Sequence, residues 1–295
     1  MGATLLGLGA VALWAALAAL TTIAGPIPPF QMAAMTFAVA TLVGLVWAAV
    51  RRQPLADLRT VPPGAWGLGL YGLFAFHACY FLALRHAPAL EASLIVYLWP
   101  LLIVLLSALL PARLGGRRLT WMPLLGAVLG LAGAVLILAG ANPGAVGGGG
   151  SALGYVFAVA AALIWSSYSV ASRLFAAVPS TALIGSCAAT ACLSFAMHLG
   201  LETTRWPATI AAWMAVLGLG LGPVGLAFYL WDEAMKRGDI RLLGVASYAT
   251  PLLSTLLLAA LGLGQANTGI WAAAVLVTVG AVLAGWEQVV RGKSG

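Results

Sequence analysis

Ala83 to Leu102 reads ALRHAPALEASLIVYLWPLL, and 151 residues later Ala234 to Leu253 reads AMKRGDIRLLGVASYATPLL. Each stretch carries Tyr-x-x-Pro inside an apolar run: Tyr97 with Pro100, Tyr248 with Pro251. The alignment needs no gap from Ala83 to Leu110, and it sets Arg85 on Lys236 and Leu101-Leu102 on Leu252-Leu253. Far upstream, the same offset sets Trp14 on Trp165. A polar aromatic beside a helix-breaking proline is unexpected once in so apolar a run. Its return at a fixed offset marks a duplicated unit.

The rest of the chain says which kind of unit was duplicated. Of its 295 residues, 63% are hydrophobic and 7% charged. Soluble domains carry about a quarter charged residues, so lipid is the main solvent of this chain. A bilayer-spanning helix takes roughly 20 apolar residues. Runs broken by Pro, Gly or charge predict ten such helices: Thr4–Ile23, Pro29–Val50, Ala65–His86, Ala89–Leu110, Leu119–Gly140, Ala152–Phe175, Thr181–Leu201, Ile210–Met235, Leu242–Leu263 and Gly269–Val289. The opening Met-Gly-Ala-Thr-Leu-Leu lacks the basic segment of a secretory signal, so the first span is expected to be retained. Cys79, Cys187 and Cys192 lie in apolar runs and read as free core thiols without metal-ligand spacing.

Charge placement sets the orientation. The net charge of +7 is not a nucleic-acid footprint, because basic residues of a membrane chain collect in cytoplasmic loops. With both termini inside, the inner side receives Arg51, Arg52, Arg59, Arg113, Arg117, Arg118, Arg173, Lys236, Arg237, Arg241, Arg291 and Lys293. The outer side receives only Arg85 and Arg205. That bias requires an even number of spans; nine or eleven would scramble it. The uncharged, glycine-rich Gly144–Gly150 reads as a flexible outer linker. The organisation is then a five-helix repeat over 1–140, a linker over 141–150, a second repeat over 151–289 and a cytoplasmic tail over 290–295. An odd number of helices per unit turns the copies upside down relative to each other, as in many transporters. The expected fold class is an all-α integral membrane protein, ten transmembrane helices as two inverted five-helix repeats.

Several side chains in this plan carry chemistry. His77 and Tyr80 are three apart and share a helix face. Tyr97 and Trp99 stand midway along the next helix. An ionisable residue at such depth is costly unless it faces a polar interior or cavity; a structural histidine bonded to a neighbouring helix is the alternative. Pro100 and Pro251 each delete a backbone hydrogen bond and kink the chain, either for packing or, as the symmetric pair favours, for gating. Most tryptophans fall near span ends, where aromatic belts form, but Trp14, Trp99 and Trp165 are deep, and Trp231 lies about one turn from the inner end. The patch Ser166–Ser169 beside Trp165 has either a packing or a cavity role. Asp232 and Glu233, a turn inside the eighth helix, are expected to snorkel or to pair with Arg85, Lys236 or Arg237. No acid or base occupies the centre of a span, so the central pathway is uncharged. Gly220 to Gly225 matches GxGxxG, but without a preceding strand it is a close-packing glycine face and not a dinucleotide site.

Two inverted repeats, ALW (Ala12–Trp14) or LIW (Leu163–Trp165) early in each half, and Tyr-x-x-Pro in the fourth and ninth helices resemble the drug/metabolite transporter superfamily in its EamA-type branch. The likeness covers the whole chain. Phe76 to Leu102, FHACYFLALRHAPALEASLIVYLWPLL, is similar within that branch to the exporters of aromatic amino acids. The resemblance implies a bundle around a central cavity lined by helices three, four, eight and nine with parts of one and six. It implies export of amino acids, aromatic ones included, by alternating access. Carried over residue by residue, it assigns His77, Tyr80, Tyr97 and Trp99 to substrate binding, and repeat symmetry adds Trp165 and Tyr248. Phe228 stands opposite His77 and Thr250 opposite Trp99, so recognition is expected to lean on the first half.

The residue chemistry is compatible with that function. A zwitterion has no net charge and asks for no central ion; its ring stacks on Tyr97 or Trp99 while hydroxyls and helix-end dipoles meet its termini. A multidrug or hydrophobic-metabolite exporter of the same fold is the nearest alternative, and a small-solute channel a more distant one. An enzyme is not expected, since no nucleophile–base pair or metal cluster assembles from the buried polar residues. No cofactor is expected. The expected partners are a small-molecule substrate and the bilayer of the inner membrane, with the monomer functional. Without a central carboxylate the carrier reads as passive or weakly coupled, His77 being its one deep proton site.

Overall fold

The computed structural model describes residues 2–50, 52, 55–116, 120–141, 151–263 and 268–291, and every regular element among them is helical. In chain order these are α1 (Gly2–Ala24), α2 (Pro29–Val50), α3 (Pro63–His86), α4 (Ala89–Val96 continuing as Trp99–Ser107), α5 (Trp121–Ala141), α6 (Ala152–Phe175), α7 (Ser180–Leu201), α8 (Ile210–Arg237), α9 (Ile240–Ala246 continuing as Ala249–Ala260) and α10 (Thr268–Arg291). Seven of them, α1 to α3 and α6 to α9, are long and apolar enough to cross a bilayer, and α4, α5 and α10 carry apolar stretches over Glu91–Ser107, Trp121–Leu136 and Trp271–Leu283. Large apolar side chains such as Leu5, Val46, Leu109, Trp121 and Ile210 stand more than half exposed around the bundle. Water would not tolerate that surface and acyl chains favour it. The expected linker Gly144–Gly150, the tail beyond Arg291, and Arg51, Arg117, Arg118 and Lys293 of the inner charge set lie outside the described residues.

Helix boundaries follow their caps. α9 begins at Ile240, two residues before the expected Leu242, because Asp239 Oδ1 accepts from the backbone N–H groups of Arg241 at 2.8 Å and Leu242 at 3.0 Å. Thr209 caps α8 and Ser151 caps α6 in the same way. Each cap satisfies donors that the first turn of a helix leaves open.

Breaks inside the helices matter more for function. α3 widens into a π-turn at Tyr71–Ala75 and α8 does so at Gly222–Leu226, again 151 residues apart. α4 breaks at Tyr97–Leu98 and α9 at Ser247–Tyr248. Pro100 and Pro251 therefore sit in the first turn of a fresh helical segment, where a missing N–H costs nothing. The break lies one turn ahead of each proline, not at it.

The two ends of the bundle differ in charge. At one end Arg173 donates to the carbonyls of Met235, Leu114 and Gly238, Lys236 donates to the Val178 carbonyl, and Asp239 N–H donates to Thr4 Oγ1. At the other, Arg85 donates to the Leu201 carbonyl, Ser151 Oγ to the His86 carbonyl, and Gln31 Nε2 to the Arg205 carbonyl. Arg113, Arg173 and Lys236 thus gather at the first end and Arg85 and Arg205 at the second. α5 and α10 pack side by side so closely that a Cβ at Gly280 would press on the Gly126 carbonyl.

Candidate functional site

Midway along the bundle, rings from α1, α3, α4, α6 and α8 converge. Trp14 is the hub: its ring centroid lies 5.9 Å from Trp165, 6.3 Å from Trp99, 6.2 Å from Phe228 and 5.0 Å from Trp231. Trp99 meets Trp165 edge-on at 6.3 Å and Trp231 at 5.9 Å. Most of these contacts are T-shaped or tilted, the geometry aromatic quadrupoles prefer. Trp99, Trp165 and Trp231 are buried, while His77, Tyr80 and Tyr97 are half-buried.

The ring cluster is fixed by hydrogen bonds at its polar edges. Trp14 Nε1 donates to the Pro223 carbonyl at 2.9 Å, inside the π-turn of α8. A π-turn loosens the local ladder and leaves backbone groups to be met by side chains. Trp231 Nε1 donates to Ser169 Oγ at 3.1 Å. His77 Nδ1 lies 2.7 Å from the Leu73 carbonyl in the π-turn of α3. A carbonyl only accepts, so Nδ1 carries the proton and Nε2 is left as an acceptor. Around His77 stand the rings of Phe37, Phe76, Phe81 and Phe228, at 5.0 to 6.0 Å.

Of the residues expected from sequence, His77, Trp99 and Trp165 meet in this cluster. Tyr80 joins its margin, stacked on Phe76 at 6.1 Å and 10°. Tyr97 packs instead against a second cluster that contains Val245 and Tyr248. Tyr248 is wholly buried, and its hydroxyl accepts from the Leu101 backbone N–H at 3.2 Å, just beyond Pro100. The structure thus seats Tyr248 behind the α4 break and apart from the ring cluster. Pro251 is buried in the same helix.

Trp14 and Trp231 are the residues that sequence reasoning left out of the site. Their signal was present: Trp14 is the repeat partner of Trp165, and Trp231 that of Tyr80. Symmetric positions also touch one another across the cluster. Trp14 meets Trp165, and His77 meets Phe228 at 6.0 Å. Asp232 and Glu233 pair with Lys236 and Arg237, as expected, but Asp232 and Lys236 are buried and do not snorkel.

Comparison with known proteins adds three results. The pattern of the EamA-like transporter family matches residues 1–139 and 152–286. An aromatic amino acid exporter, YddG of Ancylobacter novellus, is 48% identical over 283 residues, 96% of either chain. The protein of that name from Salmonella typhimurium is 27% identical, over 95% of this chain and 96% of its own. A protein of known crystal structure, 46% identical, superposes with a TM-score of 0.88 over 96% of this chain and 97% of the other.

Proposed function

Since the chain belongs to the EamA-like transporter family, we propose that it exports aromatic and other neutral amino acids through the ring-lined centre of its bundle. The observation that carries this reading is the convergence of Trp14, Trp99, Trp165, Trp231 and Phe228 beside half-buried His77 and Tyr80. Such a surface offers ring stacking to an aromatic side chain and asks no net charge of its ligand. The Ancylobacter exporter, similar along nearly its whole length, supports the choice of substrate.

In this reading ten helices cross the inner membrane as two inverted repeats, residues 1–140 and 151–289, with both termini cytoplasmic. The separate family matches to the two halves and the π-turns at a common offset support it. His77, Tyr80, Tyr97, Trp99 and Trp165 line the substrate path. Tyr248 acts on it indirectly, by bracing α4 behind Tyr97. The breaks ahead of Pro100 and Pro251 are the joints about which α4 and α9 rock to open the path to one side and then the other. A monomer suffices, and no cofactor takes part.

Counterflow in proteoliposomes tests this. Labelled phenylalanine and tryptophan are expected to enter saturably and to be accelerated by unlabelled aromatic amino acid inside, with little response to a pH gradient. Any gradient response is expected to vanish in His77→Ala. Poorly saturating flux without counterflow would leave a channel, and acceleration by hydrophobic drugs but not by amino acids would replace the substrate class.

A further inference from the structure

α4 and α9 meet near their breaks, and they are closed on each other on one side only. Toward the end that gathers Arg173 and Lys236, the second segment of α4 (Trp99–Ser107) packs along the first segment of α9 (Ile240–Ala246). The approach is close: a Cβ at Gly244 would stand 3.1 Å from the Pro100 carbonyl. Toward the Arg85 end, the first segment of α4 (Ala89–Val96) and the second of α9 (Ala249–Ala260) have no comparable contact. The former packs on α3, α5 and α6, and the latter on α1, α5 and α10.

A hydrogen bond ties the closed side. The Leu101 N–H lies in the first turn after the α4 break, where a helix supplies no acceptor of its own, and it donates to the Tyr248 hydroxyl at 3.2 Å. Tyr248 thus reaches from the α9 break to the α4 break. Its repeat partner Tyr97 stands at the α4 break and packs in the cluster that holds Tyr248. Among the described residues, no bond joins the Tyr97 hydroxyl to the Leu252 N–H, which would be the mirror image of the tie. Packing asks for neither hydroxyl. A phenylalanine fills nearly the same volume, whereas a buried phenol needs a partner.

We infer that Tyr97 and Tyr248 form a reciprocal latch, Tyr248 on Leu101 holding the state in this structure and Tyr97 on Leu252 holding the opposite-facing one. The inference rests on the inverted-repeat, alternating-access reading above and names the contacts that hold each state. Exchanging the conformations of two inverted repeats turns one facing state into the other. In this chain the exchange frees Leu101 from Tyr248, closes Ala89–Val96 on Ala249–Ala260 and sets the Tyr97 hydroxyl on the Leu252 N–H. One bond is lost and one formed, which keeps the two states close in free energy, as repeated cycling requires. Ser93 stands at the mirror of Gly244, so the crossing in this structure is the closer of the two and its state the favoured one.

Distances between spin labels at Ala89→Cys and Ala260→Cys test it in proteoliposomes, with Cys79, Cys187 and Cys192 replaced. Both sites are exposed, on the two segments that close only in the second state. The labelled parent is expected to show two separations, the longer predominating. Tyr248→Phe is expected to raise the ratio of shorter to longer roughly two- to tenfold, the contribution of one hydrogen bond, and Tyr97→Phe to lower it by a similar factor. Opposite signs separate a latch from general loosening. Shifts of one sign, or none, in protein that retains phenylalanine counterflow overturn the latch and leave export standing. A single separation in the parent, unmoved by saturating phenylalanine, overturns it as well, and this arm needs no tyrosine variant to fold. Absence of both counterflow and a second separation removes the transport reading, and the latch with it.

Discussion

Trp99 is the residue on which the ring cluster most directly meets the substrate path, since it follows half-buried Tyr97 on α4 and touches Trp14, Trp165 and Trp231. Aromatic pairs contribute about 0.5–1.5 kcal/mol beyond area burial. Trp99→Ala is therefore expected to raise KM for phenylalanine roughly three- to tenfold while changing KM for alanine little, as read from counterflow with each substrate. Equal losses for both would assign Trp99 to scaffold and not to recognition. Sequence singled out His77, Tyr80, Tyr97 and Trp99 because polar aromatics at mid-span are conspicuous; the structure brings His77 and Trp99 into the ring cluster, Tyr80 to its margin and Tyr97 to the second cluster. Trp231 was not singled out, because it lies about one turn from the inner end of its expected span, where tryptophans commonly belong to the interface belt. Tyr248, added from repeat symmetry, lies outside the ring cluster and in the second cluster, against which Tyr97 also packs. Gly130 of α5 lacks a side chain and so makes room for the Tyr248 ring.

At the scale of the helix, the joints in α4 and α9 were legible in kind and not in place. Tyr-x-x-Pro marks them, yet the break falls where Leu98 N–H bonds to Ile95 and Thr250 N–H to Ser247, in i to i−3 fashion. A proline lacks the donor that would tie it to the residue four earlier, so the turn before it is held by one bond fewer. Replacing both prolines by alanine restores two donors, each favouring a continuous helix by about 0.5–1.5 kcal/mol. If α4 and α9 rock about these joints, Pro100→Ala/Pro251→Ala is expected to slow turnover by roughly tenfold, with phenylalanine binding nearly kept. Turnover and KM are separated by zero-trans flux over a range of concentrations. Unchanged rates in the double variant would mean that the breaks serve packing alone.

For the whole molecule, the all-helical membrane class was legible in the apolar composition, and the fixed offset of 151 residues anticipated the paired π-turns of α3 and α8. The ring hub was harder to read, because contacts between Trp14, Trp165 and Trp231 join residues more than sixty apart and no local pattern records them. What the duplication implies is directional. Residues at equivalent positions touch where Trp14 meets Trp165 and His77 meets Phe228; in the proposed inverted-repeat arrangement this sets a local symmetry axis through the ring cluster and makes the two ends of the bundle alternative versions of one another. They differ in charge: Arg113, Arg173, Lys236 and Arg241 gather at one, against Arg85 and Arg205 at the other. Translocating the basic end would move the larger cationic set against the positive-inside bias. Single cysteines introduced at Ala112 and at Thr203, with the native cysteines replaced, should then react oppositely with a membrane-impermeant maleimide. In intact cells Thr203→Cys is expected to label and Ala112→Cys to label only after permeabilisation. The reverse result would turn the molecule over and set the end that gathers Arg173 and Lys236 on the outside.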